Sequence, residues 1–395
     1  MNRAHLMRVL LPFAATRLGL LVVGWLALFL LPSGLTLQTG NLVHHAPGPA
    51  LLEMWARWDS EWYLLIADRG YGADDEFLPR KVAYEHGDDT GFFPLYPLLV
   101  RLVARTGISS LAAGVLVSNV ALLVALAALH RLVDRDRGGA AADRAVWLVA
   151  AFPTSFFLSA VYAESLMLAT LLLAIVAARD GRLLVAGLAA AACALSKPTG
   201  CLALLPVWVE IATGDRRRAG LPSAGAPRAP IAPRLAHLAL VTLPSLAALG
   251  AYAAFCHSLT GRWAPFLERQ ARWRGPTGFP WRAFARYFEN PQVHGAHHSS
   301  IDFVIATAAV LSIPWLWRRL RPSDALYGSV AILLPLGSTL WSFSRFAASI
   351  YPLAALYAGG SADAGAERRC RALLGVWLPA GGLLFALFAA WWWVG

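Results

Sequence analysis

Residues 109–139 read "SSLAAGVLVSNVALLVALAALHRLVDRDRGG", an apolar run that passes directly into a cluster of arginines. About 20 helical residues cross a hydrocarbon core of roughly 30 Å. Basic residues just beyond such a run mark its cytoplasmic end. The same unit recurs along the whole 395-residue chain, which is 58% hydrophobic with a mean hydropathy of +0.54. The pattern predicts an all-α polytopic membrane protein. It predicts one domain over 1–395, because no long polar segment or internal repeat interrupts it.

Eleven transmembrane helices are expected, at 9–31, 109–131, 145–162, 164–178, 183–197, 199–212, 236–257, 301–317, 325–342, 346–360 and 372–394. The start "MNRAHLMR" has no small-residue cleavage site before its apolar run and reads as an uncleaved first span with its N-terminus inside. Alternation then places "HRLVDRDRGG", "ARDGR", "GDRRRAG…APRAPIAPR", "WRRLRPSD" and "ERRCR" together on the cytoplasmic side. Residues 214–234, rich in Pro, Ala and Arg, read as a cytoplasmic linker.

The net charge of +11 lies mostly in these short clusters, which argues against a nucleic-acid partner. Two lysines against 32 arginines, with abundant alanine, fit a GC-rich bacterial genome, hence a bacterial cytoplasmic (inner) membrane. Cys193, Cys201, Cys256 and Cys370 have no metal-ligand spacing and read as small packing residues.

Two outer segments are too long to be turns. The first, 33–108, holds 10 of the 23 acidic residues between Glu53 and Asp89. The second, 258–300, carries Arg262, Arg269, Arg272, Arg274, Arg282 and Arg286 against the positive-inside tendency, so lipid headgroups or a phosphorylated ligand are their candidate partners. In "MWARWDSEWYLLIADRGY" (54–71), Trp55, Trp58, Trp62 and Leu65 form a helical stripe suited to a helix lying in the outer interface. Glu61 has Arg57 four residues before it, a bland surface pair. Asp59 has no basic residue three or four positions away, which favours a raised pKa and a role as base.

"YEHGDDTGFFPLYPLL" (84–99) reads as a loop leading into a helix. A divalent cation is possible at Asp88–Asp89, but a polar turn is the commoner use of such a pair, and no metal or other cofactor is expected. Glu85 and His86 are a candidate substrate-orienting pair or plain loop residues. Glu164 in "SAVYAESLML", Lys197 in "ALSKPTG" and Arg345 in "SFSRFAASIYP" are ionisable residues at outer turns. Snorkelling accounts for any one of them. Together with the acidic loop on one membrane face, they point to a site for an anionic, lipid-linked substrate.

The strings "RWDSEWYLLIADRGY", "YEHGDDTGFFPLYP", "FPTSFFLSAVYAESLML" and "LSKPTG", in this order, resemble the PIG-V-like mannosyltransferases, relatives of the second mannosyltransferase of glycosylphosphatidylinositol-anchor synthesis. Lys197 stands where that family often has Arg, and Met167 replaces its usual aromatic residue. The resemblance implies a GT-C-type bundle whose first outer loop contains interfacial helices. It implies a polyprenyl-phosphate sugar donor, a site on the non-cytoplasmic face and an essential acid at Asp59, with Glu61 beside it. On that reading Lys197 and Arg345 neutralise the donor phosphate. Trp58, Trp62, Tyr63, Phe92, Phe93, Tyr96, Tyr162 and Glu164 join Glu85 and His86 as substrate-binding residues. The acceptor is open among glycan, lipid and protein. A transporter or flippase of lipid-linked saccharides is the alternative, though the motifs gather at one face and no repeat is visible. A non-catalytic assembly subunit is a third, against which an intact Asp59 argues.

Overall fold

A computed structural model describes residues 3–34, 47–72, 87–218, 231–289 and 299–394. Its α-helices are α1 (Arg3–Leu30), α2 (Ala50–Glu53), α3 (Ser60–Arg69), α4 (Leu95–Ala104), α5 (Ser110–Arg137), α6 (Gly139–Ala150), α7 (Glu164–Arg179), α8 (Leu183–Ser196), α9 (Leu204–Arg218), α10 (Ile231–Thr260), α11 (Pro265–Arg274), α12 (Trp281–Glu289), α13 (Ser300–Arg319), α14 (Pro322–Leu336), α15 (Phe343–Ala347), α16 (Tyr351–Tyr357) and α17 (Ala366–Ala389). Helix α9 runs into the expected linker and α10 begins inside it, so both ends of 214–234 are helical.

Among the described residues five helices, α1, α5, α10, α13 and α17, are long and apolar enough to cross a membrane. The other six expected spans fall on α6, α7, α8, α9, α14 and the pair α15–α16. Apart from the still shorter α15 and α16, these hold 12 to 16 residues. At 1.5 Å per residue they cover about 18–24 Å, short of a hydrocarbon core of roughly 30 Å. Helix α7 is buried along nearly its whole surface, between α5 and α8, as an all-round apolar helix must be.

Interrupted helices leave backbone carbonyls without intrahelical partners, tolerable in an apolar setting only where protein groups satisfy them. Arg17, buried on α1, does this for the broken end of α6. It donates to the Ala150 carbonyl (2.6 Å), the Ser155 carbonyl (2.9 Å) and the Ser155 and Ser159 hydroxyls (both 2.9 Å). Pro198 ends α8 by holding the preceding Lys197 extended (φ −156°, ψ 157°). Gly200 is needed just beyond, since a Cβ there would lie 1.8 Å from the Cys193 carbonyl oxygen.

The basic segments gather at one end of the bundle. Arg179 pairs with Asp136 (2.5 Å), Glu210 (3.0 Å) and Asp324 (2.8 Å), and Arg321 pairs with Asp136 (2.9 Å). Arg137 donates to the carbonyls of Arg319 (2.9 Å) and Gly359 (2.8 Å). At the opposite end α1 and α17 close on each other. Gly34 N–H donates to the Ala390 carbonyl (2.8 Å), and the Trp392 indole donates to the Pro32 carbonyl (3.2 Å).

The first outer segment departs from the expected interfacial helix. The chain breaks at Trp58, whose φ is +60°, and α3 starts only at Ser60. Ser60 through Ala67 are all buried, so Trp62 and Leu65 face protein rather than headgroups. Large apolar side chains are exposed instead on α4 (Leu98, Leu102) and in the second outer segment, at Trp263, Leu267, Phe279, Trp281 and Phe288. That belt suits an interface better than the buried tryptophans do.

Candidate active site

Four helix breaks, at 58–59, 152–163, 197–203 and 337–350, meet near one point. They bring together Asp59, Glu164, Lys197 and Arg345. Lys197 Nζ donates to Glu164 Oε1 at 2.6 Å, and Arg345 Nε lies 3.3 Å from the same oxygen. Arg345 Nη1 reaches across to Asp59 Oδ2 at 2.7 Å. Asp59 therefore does have a cationic partner, supplied from 286 positions away, where a search of helical neighbours cannot find it. The two acids differ in access. The Asp59 side chain is 33% exposed and that of Glu164 only 1%, so Asp59 faces the opening while Glu164 holds the cations from behind.

The Phe346 ring gathers the cations. Arg274 lies 4.7 Å from its centre, Lys197 5.1 Å and Arg345 5.3 Å. Arg345 also lies 5.4 Å from the Tyr162 ring. Tyr162 fixes the first outer segment by donating to the Arg57 carbonyl at 2.9 Å. Five buried polar atoms along these same chain breaks find no hydrogen-bond partner among the described residues: Trp58 Nε1, Ser60 Oγ, Glu164 Oε2, Ser165 Oγ and Ser344 Oγ. Native interiors satisfy most such groups, which makes these breaks a candidate place for a polar ligand.

Trp58 is flanked by Trp391 (6.3 Å) and Trp393 (5.2 Å). Its neighbour Arg57 lies over Trp391 (4.6 Å) and donates to the Ala389 carbonyl (3.1 Å). Burial pushes the Arg57 guanidinium down to about 10, and the charges of Glu53 and Glu61 oppose that shift. Glu61 is buried in the first turn of α3 and Arg57 is buried as well, so neither belongs to the solvated surface pair expected.

The remaining aromatic residues are less open than a sugar-binding wall. Trp62 stacks on Phe92 (5.4 Å, 14°). Tyr63 meets Phe92, Tyr96 and Tyr162 edge-on. Phe93 packs into a separate cluster with Tyr252 and Phe266, away from the cations. The Tyr96 hydroxyl is tied to Ser118 Oγ (2.7 Å) and donates to the Gly114 carbonyl (3.0 Å) on α5. Glu85 and His86 lie outside the described residues.

The Asp88–Asp89 pair is a clasp in this fold. Asp88 forms ion pairs with Arg269 and Arg272, and Asp89 accepts from the Gly72 N–H (2.6 Å). Among the described residues no three His, Cys, Asp or Glu side chains are grouped to hold a metal ion. Most of the positive charge of 258–300 is thereby accounted for. Arg269 and Arg272 serve the clasp, Arg262 pairs with Glu268, and Arg286 donates to the Ser338 carbonyl (3.0 Å). Arg274 alone among the named arginines joins the Phe346 cluster. Phe346, Trp391 and Trp393 were missed as site residues. The string "WWWV" at 391–394 was the local signal of the two tryptophans, and Phe346 stood beside Arg345 in "SFSRFAASIYP".

Residues 88–213 match a family model described as "Alpha-(1->6)-mannopyranosyltransferase, N-terminal domain" (MptA_B family). The match includes Glu164 and Lys197 but neither Asp59 nor Arg345. No curated protein matches in sequence. Among solved structures the chain is similar to the Archaeoglobus fulgidus oligosaccharyltransferase. The apo form gives a TM-score of 0.45 at 13% identity, covering 95% of this chain and 56% of that one. The form tethered to an acceptor peptide containing the NVT sequon gives 0.41 at 14% identity, covering 95% and 55%. The chain thus spans little more than half the length of these structures.

Proposed function

We propose that the chain is an integral membrane glycosyltransferase that moves mannose from a polyprenyl-phosphate donor to a glycolipid or cell-envelope acceptor. Its reaction takes place at the non-cytoplasmic face of the bacterial inner membrane, within a GT-C-like bundle of about 11 transmembrane helices. The observation that carries this reading is the linked set Asp59–Arg345–Glu164–Lys197 at the ends of the shortened helices. The mannosyltransferase-domain match over 88–213 and the PIG-V-like motifs support the sugar and the reaction type.

In the mechanism, Asp59 takes the proton of the acceptor hydroxyl. The oxygen attacks the anomeric carbon, the bond from that carbon to the phosphate oxygen breaks, and the electron pair leaves on the phosphate. One displacement from a β-linked donor gives an α-linked product with inversion. Lys197 and Arg345 stabilise the charge that grows on the leaving phosphate, as pre-placed cations do without reorganising. Arg345 links the two ends of the reaction, since it holds Asp59 and reaches the phosphate from one guanidinium. Part of the isoprenoid tail occupies the apolar cavity of about 230 Å³ between α6, α13, α16 and α17, whose lining includes Ala347 and Ala348 beside Arg345. The acceptor enters past Trp58, whose unpartnered indole N–H is a donor for a sugar hydroxyl.

Asp59→Asn keeps the shape and removes the base. In proteoliposomes supplied with polyprenyl-phosphate mannose, transfer to acceptor should fall roughly 10²–10⁴-fold, the usual worth of a positioned base. Near wild-type transfer by this variant would overturn the mechanism. Labelled donor changing leaflets without forming a new glycosidic bond would favour the flippase instead.

A further inference from the structure

Helix α11 belongs to the second outer segment, yet its last residue stands among the cations of the site. Its placement starts at the 3₁₀ turn Asp88–Gly91, where Asp88 pairs with Arg269 and Arg272 on successive turns of α11. The Arg269 side chain is buried between Trp273 (3.6 Å) and Trp62 (5.1 Å), and a Cβ on Gly91 would come within 2.9 Å of it. The helix is therefore clamped at a defined height and rotation. One turn beyond the clamp, Gly275 ends it with φ +75°, leaving Arg274 at the final position against Phe346.

Arg274 differs from the other two cations on that ring. Lys197 and Arg345 each have a carboxylate partner, whereas the half-buried Arg274 makes no ion pair or hydrogen bond among the described residues. Burial brings its guanidinium down to about 10, the neighbouring Arg345 charge adding to the shift and the carboxylates of Asp59 and Asp302 opposing it, so it remains charged at neutral pH. Three cations stand together on the ring, where the carboxylates of Asp59 and Glu164 pair with Arg345 and Lys197, while the buried Asp302 acts on Arg274 only through space. Like charges gathered at low dielectric are costly unless an anion joins them. A helix C-terminus favours an arginine in any protein. That preference explains neither the burial nor the placement beside Arg345.

We propose that Arg274 is a third contact for the phosphate of the lipid-linked donor, delivered by α11, and that Asp88 is the positioning residue that sets it. This rests on reading the site as one for a polyprenyl phosphate. The test is equilibrium binding of polyprenyl phosphate to the full-length protein, which needs no turnover. Arg274→Gln should weaken binding about tenfold or more, the scale of a lost charge-assisted hydrogen bond, and Arg274→Lys should recover part of it. Arg262→Gln, in the same segment but paired with Glu268, should leave binding unchanged. Asp88→Asn should also weaken binding, but with little further loss when combined with Arg274→Gln, because both act through one contact. A purely structural Asp88 would instead lower affinity independently of Arg274. Equal binding by wild type and Arg274→Gln would overturn the proposal even if mannose transfer is intact. Transfer surviving Asp59→Asn would overturn the mechanism without touching this one.

Discussion

Glu164 illustrates what one buried acid does among several cations. Its carboxylate is shared by Lys197 and Arg345, both largely buried, so removing its charge leaves Lys197 without a carboxylate and Arg345 with Asp59 alone. Breaking a buried pair from one side costs about 3–5 kcal/mol. Glu164→Gln should therefore lower the thermal midpoint in detergent clearly, and Glu164→Gln with Lys197→Met should recover part of the loss. An unchanged midpoint for the single variant would mean that the carboxylate does not hold the cluster. At this scale the sequence was informative about residue types. Asp59, Glu164, Lys197 and Arg345 stand out because ionisable groups near apolar spans are rare. Their pairing was not legible, because the Asp59–Arg345 contact joins positions 286 apart. Arg274 was visible only as one of six outer arginines, with nothing local to separate it from Arg269 and Arg272.

Helical elements carry the next lesson. Composition identified where the apolar helices lie, and each expected span overlaps a helix, though 145–162 shares only its first six residues with α6. Their lengths depended on breaks that hydropathy averages over, such as Pro153, Pro198 and the left-handed backbone at Trp58. The tryptophan stripe of 55–65 has the period of an interfacial helix, and periodicity cannot tell a lipid-facing stripe from one buried by α4 and α5. The cavity between α6, α13, α16 and α17 gives a prediction at this scale. Ala308 lies on α13 at its exposed rim, so Ala308→Trp should obstruct it without filling a packed core. The Michaelis constant for a long-chain donor should rise several-fold, while a short-chain donor and the maximal rate change little. Equal effects on both donors would remove the cavity from the tail's path.

Across the whole molecule, charge sorts the bundle into two ends. Among the described residues, arginines of the segments 130–139, 178–182 and 317–324 converge through Arg179, Arg137 and Arg321 at one end, and the Asp59–Arg345 cluster lies toward the other. The alternation read from basic loops expects these three segments on one side of the membrane and the cluster on the other. Single cysteines introduced by Ala271→Cys on α11 and Ala362→Cys before α17 should thus react with an impermeant maleimide from opposite sides of intact membrane vesicles. Both positions are exposed, and Cys201→Ser would remove the exposed native thiol. Labelling of both from one side would invalidate the topology.

The closure of α1 against α17 has a consequence for the time course of biogenesis. Helix α1 leaves the ribosome long before α17 and must wait for it before Gly34 and Pro32 find Ala390 and Trp392. Arg57, next to Asp59, likewise acquires its acceptor and its stacking ring only from Ala389 and Trp391. During synthesis the lower part of the bundle can assemble while the wall beside Asp59 is still missing. On the proposed mechanism, competence for transfer is then a late event, set by insertion of α17 rather than by the helices that carry Glu164 and Lys197.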